Sequence, residues 1–474
     1  MAQIRKIIPD WRTILSAVLL ALAAPVWNQG YLVFIAFVPF LYGMNQWNLR
    51  KTLLQSFWFQ LLFSFGVFFW VPPSFYKLWP NGNIAVYTGF FLGLMAIVEL
   101  QIVGWAYVRH YLKRYPLILI LLGSSIVYTG LDMLALKFVK DTLAHALFEY
   151  YSIKQWSGVI GVYGLTAFIM IINELFFVAI QKRKKLFSLI PIGLVAAAYL
   201  SGPLLIKDQK PKGYWSVALI QPNIGHYTNP NDKKGLAVLE KLISLSENAL
   251  VEQPETKYVI WPETIYPADF FNPNSLAEEQ INKQLVQWVL QKNIHLFFGA
   301  LIKENGLLAN AYIHIYSVEN QIKTEYILKN NPFPFGEEIP FTKYLPWMRD
   351  VFPIPSVSVK GTGPVVQNIE EVKVGNLICF ESITAELTKE FTLQGVELLL
   401  NPTNEASFTS FGEPQLALAL TSFRALEIGV SLIRVADTGI SAYIDAHGVI
   451  RYQTPMDQVV IKTLKIPIFS KDKY

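Results

Sequence analysis

The chain has 474 residues and a formal net charge of +5, and 53% of its residues are hydrophobic while only 16% are charged. The usual charged fraction is about 25%. Because the sequence contains one cysteine, an intramolecular disulfide and a cysteine-based metal cluster are both excluded. The basic residues cluster between apolar segments, which indicates membrane topology rather than nucleic-acid binding.

Seven apolar stretches in the first 206 residues predict a polytopic membrane domain, since a membrane helix needs roughly 20 apolar residues. The last five are long enough, whereas the first two are short and separated only by residues 28–30, which favours a tight helical hairpin. The stretches lie at about 13–27, 31–47, 52–73, 84–108, 115–135, 156–180 and 186–206. We therefore predict a helical domain at 1–206, a polar linker at 207–213 and a second domain at 214–474.

Basic residues mark alternate loops of this domain. Clusters of lysine and arginine precede the first stretch and follow the second, fourth and sixth, and such loops stay cytoplasmic. An odd number of spans then places the domain at 214–474 on the periplasmic or outer side. The clusters are Arg5, Lys6 and Arg12; Arg50 and Lys51; Arg109, Lys113 and Arg114; and Lys182, Arg183, Lys184 and Lys185.

Three ionisable residues fall inside the predicted spans: Glu99, Asp132 and Glu174. Intramembrane charges are costly and are often functional. No relay pattern links the three residues, so we favour hydrogen bonding between helices, or a position near the membrane surface, over a proton or ion pathway.

The second domain alternates strand and helix patterns with paired strands, which predicts a layered α/β sandwich. Predicted strands lie at 214–221, 257–261, 295–301, 310–316, 322–328, 372–380, 396–401, 431–436, 440–445 and 458–466. Predicted helices lie at about 233–252, 275–293, 384–394 and 414–429.

Cys379 ends an apolar run in the predicted strand 372–380, and strand ends are where open α/β sheets usually place ligand chemistry. A lone cysteine is more often a small buried hydrophobic residue than a nucleophile. As a thiolate it would need a base and a positive neighbour. The histidines of this domain form neither a recognisable cysteine-protease pattern nor a zinc motif: His226, His295, His314 and His447.

Two other residues supply the missing chemistry. Glu263, in Trp-Pro-Glu-Thr, stands at the end of an apolar strand beside Trp and Pro, where partial desolvation suits a general base. The alternative, without a catalytic role, is a loop glutamate that caps a helix or pairs with a basic residue on the surface. Lys329 could stabilise the oxyanion of acyl transfer. Taken alone, Lys329 within Lys-Asn-Asn would be interpreted as a solvent-exposed surface residue.

In chain order, these residues and their neighbours resemble the nitrilase, or carbon–nitrogen hydrolase, superfamily. The motifs are Trp-Pro-Glu263, Lys329 with Pro-Phe-Gly-Glu337, and Ile-Cys379-Phe-Glu381. The spacings of 66 residues from Glu263 to Lys329 and 50 from Lys329 to Cys379 suit that family. The resemblance implies a Glu-Lys-Cys triad in an αββα sandwich, with no metal or cofactor.

A nitrilase-like domain behind a polytopic domain narrows the resemblance to the bacterial apolipoprotein N-acyltransferase family, over nearly the whole chain. The resemblance implies transfer of an acyl chain from a phospholipid to the N-terminal amine of a diacylglyceryl-cysteine lipoprotein, through a cysteine thioester. It also implies a multi-pass protein of the inner membrane with a periplasmic catalytic domain. The expected partners are the phospholipid, the lipoprotein and the bilayer, without nucleic acid, and we expect a monomer.

The same resemblance implies supporting or substrate-binding roles for five residues: Glu337, Glu381, Phe380, Pro340 and Asn404. The chain departs from the family pattern in several places. Phe380 stands where the family often has tyrosine, and Ser407 where it often has tryptophan. An eighth, C-terminal membrane helix is usual in the family, and its absence here indicates either a shortened C-terminus or a missing second tether. These departures concern donor and acceptor preference more than the triad.

The segment 340–355 is unusually apolar for a loop. We consider two interpretations: an interfacial lid that gates acyl chains, and a loop packed on its own domain. Two other functions also stay open. One is a membrane-anchored amidase or nitrilase for a small amide, and the other is a membrane scaffold or transporter with a degenerate domain.

Overall fold

The computed structural model describes residues 8–78, 83–98, 100–137, 139–183, 185–206, 210–225, 232–339, 342–344, 346–351, 357, 359–408 and 411–470. The chain divides into two compact units. The first joins Met1–Asp208 to Phe411–Glu427, and the second joins Gln209–Ser410 to Ile428–Tyr474. The predicted division between the domains at residues 206–214 stays a prediction. Residues 411–427, from the second predicted domain, group with the helical unit.

The first unit is helical. Two of its helices begin at side-chain caps, because Asp10 accepts a hydrogen bond from the Arg12 amide at 3.1 Å and Asn48 from the Lys51 amide at 2.9 Å. The helices are α1 Trp11–Ala23, α2 Val38–Gln46, α3 Leu49–Phe68, α4 Val71–Leu78, α5 Ile84–Val98, α6 Gln101–Leu112, α7 Leu117–Leu134, α8 Tyr151–Lys154, α9 Ser157–Gln181, α10 Lys185–Ser201 and, from the second part of the chain, α15 Glu413–Ile428.

Within the described residues, four helical stretches are long and apolar enough to cross a membrane: Ile84–Leu112, Leu117–Leu134, Ser157–Gln181 and Phe187–Leu205. A fifth is added if α3 and α4, which are bent by 50° at their junction, form one span. The first two predicted spans correspond to shorter apolar helices, Trp11–Ala23 and Gly30–Gln46. The predicted count of seven therefore depends on these two shorter helices and stays a prediction.

Glu174 on α9 is fully buried and joins three helices. Its carboxylate accepts two hydrogen bonds from the Arg109 guanidinium of α6, at 2.6 and 2.9 Å, and one from the Ser124 hydroxyl of α7 at 2.7 Å. The Trp105 indole donates to the same hydroxyl at 3.0 Å. Glu174 thus has the interhelical bonding favoured from the sequence, whereas Glu99 lies outside the described residues.

The second unit contains two six-stranded sheets. Its strands are β1 Gly213–Gln221, β2 Tyr258–Ile260, β3 His295–Glu304, β4 Leu307–Val318, β5 Gln321–Leu328, β6 Val366–Ile369, β7 Val372–Asn376, β8 Leu398–Thr403, β9 Ser431–Ala436, β10 Ala442–Ile444, β11 Ile450–Gln453 and β12 Val460–Ile468. Its helices are α11 Asp232–Glu252, α12 Leu276–Lys292, the short α13 Met348–Val351 and α14 Glu386–Gln394. The sheet orders are β12-β1-β2-β3-β4-β5 and β11-β10-β9-β8-β7-β6.

The two faces of the first sheet are both apolar, but they pack against different layers. Along β1, Val217 and Leu219 join the core shared with Val374 and Leu400 of the second sheet. The alternate residues, such as Ala218, join a core with buried residues of α11 and α12. This period of two follows from the pleat of a strand. The predicted layered α/β sandwich is confirmed.

The largest difference from the predicted elements lies at the cysteine. The predicted strand 372–380 is too long, because β7 ends at Asn376 and a 3₁₀ turn begins at Cys379. Cys379 has φ +52°, a left-handed conformation that a strand cannot contain. The strands Val366–Ile369 and Ile450–Gln453 were not predicted, because both are short and lie at the edge of the second sheet.

Candidate active site

Glu263 follows β2 at the edge where the parallel strands β1, β2 and β3 end. The chain between them is held against β3, since the Trp261 amide donates to the Phe297 carbonyl at 2.8 Å. A side chain at Gly299 of β3 would place its Cβ only 2.5 Å from the Glu263 Cα. Glycine at this position is therefore what allows Glu263 to lie over the sheet edge, where the residue is 4% exposed.

Lys329 follows β5 and is only 1% exposed. The expectation for this residue taken alone, a solvated surface lysine, is therefore wrong. Its ammonium donates to Glu263 Oε1 at 2.9 Å and to Glu337 Oε2 at 2.5 Å. Burial opposes the charged form, but the two carboxylates outweigh it and raise the pKa of Lys329 well above its ordinary value. Lys329 is thus a permanent cation at neutral pH.

Glu337 completes this charged group. Burial favours its neutral form, but the Lys329 ammonium and hydrogen bonds from the Phe333 amide and the Asn310 side chain lower the pKa of Glu337 below its ordinary value. The amide bond from Phe333 measures 2.8 Å. Glu337 therefore stays anionic beside the lysine.

Asn310 on β4 links the two acids and was missed by the sequence analysis. Its Nδ2 donates to Glu263 Oε1 at 2.8 Å and to Glu337 Oε1 at 2.7 Å. Its backbone carbonyl accepts from the Lys329 amide at 2.9 Å. One signal could have found it: Asn310 shares a strand face with Tyr312, which faces the core between the sheets.

Asn404, at the end of β8, contacts the other side of Glu263. Its backbone amide donates to Glu263 Oε2 at 2.9 Å, and its side chain donates to the Thr264 hydroxyl at 3.2 Å. The next residue, Glu405, is buried against Arg434. Each carboxylate oxygen of Glu263 is thereby fixed by at least one donor.

Cys379 is partly exposed and lies in a strained turn. In its ionised form, Cys379 would contribute to the raised pKa of Lys329, which places the two side chains in the same electrostatic environment. Two hydrogen bonds hold the turn. The backbone carbonyl of Cys379 accepts from the Ser382 hydroxyl at 3.0 Å and from the side-chain amide of Asn401 at 3.4 Å. Strained, over-determined backbone of this kind is common at functional sites.

Glu381 connects the cysteine turn to the lysine loop. It is fully buried, and its carboxylate accepts hydrogen bonds from the backbone amides of Asn330 at 2.5 Å, Asn331 at 3.0 Å and Ile378 at 2.7 Å. Burial raises the pKa of Glu381 to about 7 against the opposing effect of these donors. Its geometry is that of a structural link between the two segments.

Phe380 is part of a cluster of aromatic side chains beside the site. Its ring meets Phe333 at a centroid distance of 5.2 Å, and Phe333 meets Phe408 at 5.5 Å, both edge-on. Pro340 lies outside the described residues, as does much of the predicted lid 340–355. Two described aromatic residues of that segment, Tyr344 and Trp347, are 76% and 56% exposed. The lid stays a prediction.

Within the part of the chain that the structure describes, no group of three or more His, Cys, Asp or Glu side chains is arranged to hold a metal ion. The side chains that this site brings together include one thiol, one ammonium and two carboxylates.

Comparison with known proteins gives two family matches. The carbon–nitrogen hydrolase model matches residues 216–466, and the apolipoprotein N-acyltransferase N-terminal domain model matches residues 16–175. The chain belongs to the carbon–nitrogen hydrolase family. Its helical N-terminal part is in addition similar to the N-terminal domain of apolipoprotein N-acyltransferases.

Similar curated proteins cover both units. The apolipoprotein N-acyltransferase of Geobacter metallireducens is 28% identical and aligns with 94% of this chain and 87% of its own length. That of Chlorobaculum tepidum is 24% identical, with 98% and 91% covered. Among solved structures, a carbon–nitrogen hydrolase from Helicobacter pylori has a TM-score of 0.41 at 17% identity, over 54% of this chain and 89% of that one.

Proposed function

We propose that this protein transfers an acyl chain from a membrane phospholipid to the N-terminal amine of a diacylglyceryl-cysteine apolipoprotein, through a thioester on Cys379. The names of the relatives that match both units support the reaction class. The observation that carries the assignment of residues is the buried Lys329 ammonium between Glu263 and Glu337, in the same electrostatic environment as Cys379.

In the first step, Glu263 takes the thiol proton and the Cys379 sulfur attacks the ester carbonyl carbon of the phospholipid. A carboxylate has about four lone-pair sites, and Glu263 Oε2 accepts one amide in this structure, so one site remains for the proton. Lys329 stabilises the tetrahedral oxyanion. The C–O bond then breaks, and the lysophospholipid leaves with the proton that Glu263 held.

In the second step, the lipoprotein amine attacks the thioester carbonyl and gives its proton to Glu263. The C–S bond breaks, the amide forms, and the Cys379 thiolate takes the proton back from Glu263. Because the cation is shared with Glu337, Lys329 keeps one carboxylate partner while Glu263 carries a proton. Such a two-step scheme predicts ping-pong kinetics.

The helical unit supports a location in the membrane, since the described residues contain four helices that could span it. We propose residues 1–206 as the membrane domain and 214–474 as the catalytic domain, on the periplasmic face of the inner membrane, in a monomer. The asymmetry of the basic loops supports this orientation. Both substrates are then brought to the enzyme by lateral diffusion in the bilayer.

Mass spectrometry of the intact protein tests the reaction and its nucleophile together. After incubation with phospholipid, wild-type protein should carry one fatty-acyl mass that hydroxylamine removes, whereas Cys379→Ala should carry none. A wild-type protein that never becomes acylated but hydrolyses small amides would instead indicate a membrane-anchored amidase. Full function of Cys379→Ala at a normal protein level would contradict both and favour a scaffold.

A further inference from the structure

The helical unit contains a small, partly open cavity of about 30 Å³, distant in sequence from the residues of the proposed reaction. It is formed by α1, α3, α6, the C-terminal end of α7 and the segment that follows α7. Much of its wall is apolar, but six lining residues carry side-chain polar groups: Gln101, Tyr128, Asp132, Lys137, Asp141 and Thr142. A cavity of this volume has room for a water molecule or a small ion.

Asp132 supplies the clearest polar feature of the cavity. Its side chain is 1% exposed, and its Oδ1 accepts a hydrogen bond from the Lys137 ammonium at 2.6 Å. Its Oδ2 is buried and has no hydrogen-bond partner among the described residues. Leaving a buried charged oxygen without a partner costs more than leaving a neutral one, so the arrangement favours a ligand with positive charge.

The charges around the cavity point the same way. The Lys137 ammonium also donates to the Asp141 carbonyl at 2.5 Å and lies 3.9 Å from the Asp141 carboxylate. Among the charged side chains that line the cavity, two carboxylates and one ammonium leave one net negative charge, while the Lys140 and Arg424 charges act on the same region without lining it. Asp132 lies in the last turn of α7, where the helix carbonyls add partial negative charge. One further positive charge would balance the group.

We propose that this cavity binds one monovalent inorganic cation, such as Na⁺, through Asp132 Oδ2 and neighbouring side-chain oxygens. Carboxylate, amide and hydroxyl oxygens are the ligands that hard cations prefer. One residual charge fits a monovalent better than a divalent ion, and the cavity volume fits a bare ion rather than a lipid headgroup. The site holds α7 to the segment that follows it, and its occupancy does not depend on the proposed acyl transfer.

Thermal unfolding of the full-length protein in detergent tests the proposal. NaCl is titrated against N-methyl-D-glucamine chloride at constant ionic strength, because the larger cation cannot enter the cavity. Wild-type protein should gain about 3–5 °C in Tm at a Na⁺ concentration of about 100 times Kd, and the gain should keep rising with the logarithm of the concentration. Asp132→Asn should lose this gain. Asp10→Asn is the matched control, since Asp10 caps α1 in the same unit outside the cavity, and it should keep the gain.

Two results would overturn the proposal. An equal gain in wild type and Asp132→Asn would show a non-specific salt effect, and no gain in wild type would show that water alone fills the cavity. If Asp132→Asn does not fold, Tl⁺ diffraction on wild-type crystals decides: an anomalous peak beside Asp132 Oδ2 supports the site, and its absence at saturating Tl⁺ rejects it.

Discussion

Each unit of this protein buries cations against carboxylates, and the group around Arg109 in the helical unit differs in stoichiometry from the group around Lys329 in the second unit. In the helical unit, one guanidinium, from Arg109, meets one carboxylate, from Glu174, and both carboxylate oxygens are bonded. In the second unit, one ammonium, from Lys329, meets two carboxylates, from Glu263 and Glu337. In a matched pair the two charges balance each other and the hydrogen bonds of the carboxylate are made, so the pair stabilises packing. An unmatched group retains negative charge that can take up a proton, as catalysis requires.

The largest expected effect comes from removing the shared cation. Lys329→Met leaves Glu263 and Glu337 as two buried acids without a counterion and removes the group proposed to stabilise the oxyanion. We expect the rate of thioester formation to fall by about 10³-fold, which corresponds to about 4 kcal/mol. The measurement is the time course of hydroxylamine-sensitive acylation.

Lys257→Met is the matched control for this variant. Lys257 is also a lysine paired with a glutamate, Glu370, but its side chain is 46% exposed and the pair lies outside the proposed site. We expect an unchanged acylation rate. An equal loss in both variants would mean that the effect of Lys329→Met reflects folding rather than chemistry.

A break in the matched pair should affect stability and leave the chemistry unchanged. Arg109→Met leaves the Glu174 carboxylate buried without its cation, which should cost about 3–5 kcal/mol and lower Tm. Adding Glu174→Gln removes the stranded charge and should restore most of the loss. Thermal unfolding in detergent measures both, and acylation per folded molecule should stay at the wild-type level. No recovery in the double variant would contradict the interpretation as a simple ion pair.

The sequence predicted much of the setting of the proposed catalytic residues because that setting is local. Glu263 and Cys379 were each expected at the end of an apolar strand. Lys329 was recognised through the family resemblance alone, because a Lys-Asn-Asn run looks solvated. Its burial depends on Glu263 and Glu337, which lie 66 residues before it and 8 residues after it.

Other parts of the site could not be predicted from local patterns. A left-handed Cys379 cannot be inferred from residue type, because cysteine in a helix, strand or turn rarely has positive φ. Asn310 was expected only as the first residue of a strand. Its bonds to two acids arise from the antiparallel pairing that places the beginning of β4 beside the end of β5. Both features are long-range consequences of the fold.

Glu381 should make the stability of the protein depend on pH. Its pKa is raised from 4.5 to about 7, so the native state binds a proton more tightly than the unfolded chain. The contribution of Glu381 is therefore fully present below about pH 4.5 and is lost as pH rises towards 7. The loss is at most about 3 kcal/mol.

Thermal unfolding between about pH 5 and pH 8 measures this contribution. Glu381→Gln should show a smaller fall in Tm over that range than wild type, because glutamine does not titrate. Glu319→Gln, at an exposed turn position, should keep the wild-type slope. Equal slopes in all three proteins would show that other groups control the pH dependence.

The smallest expected effect sharpens the contrast between the two charged groups, because it changes geometry and not charge. Asn310→Ala keeps Lys329, Glu263 and Glu337 but removes the donor that holds both acids. We expect acylation to slow by about 10–100-fold, which corresponds to about 1.4–2.7 kcal/mol.

Asn310→Asp should be slower still, since a third carboxylate beside one ammonium must take up a proton and would move the pH dependence of acylation upward. Asn272→Ala, which removes an exposed side-chain amide that donates to the Lys303 carbonyl, should react at the wild-type rate. If Asn310→Ala and Asn310→Asp reacted equally fast with one pH profile, Asn310 would be a packing residue, and the two acids would be held by Lys329 alone.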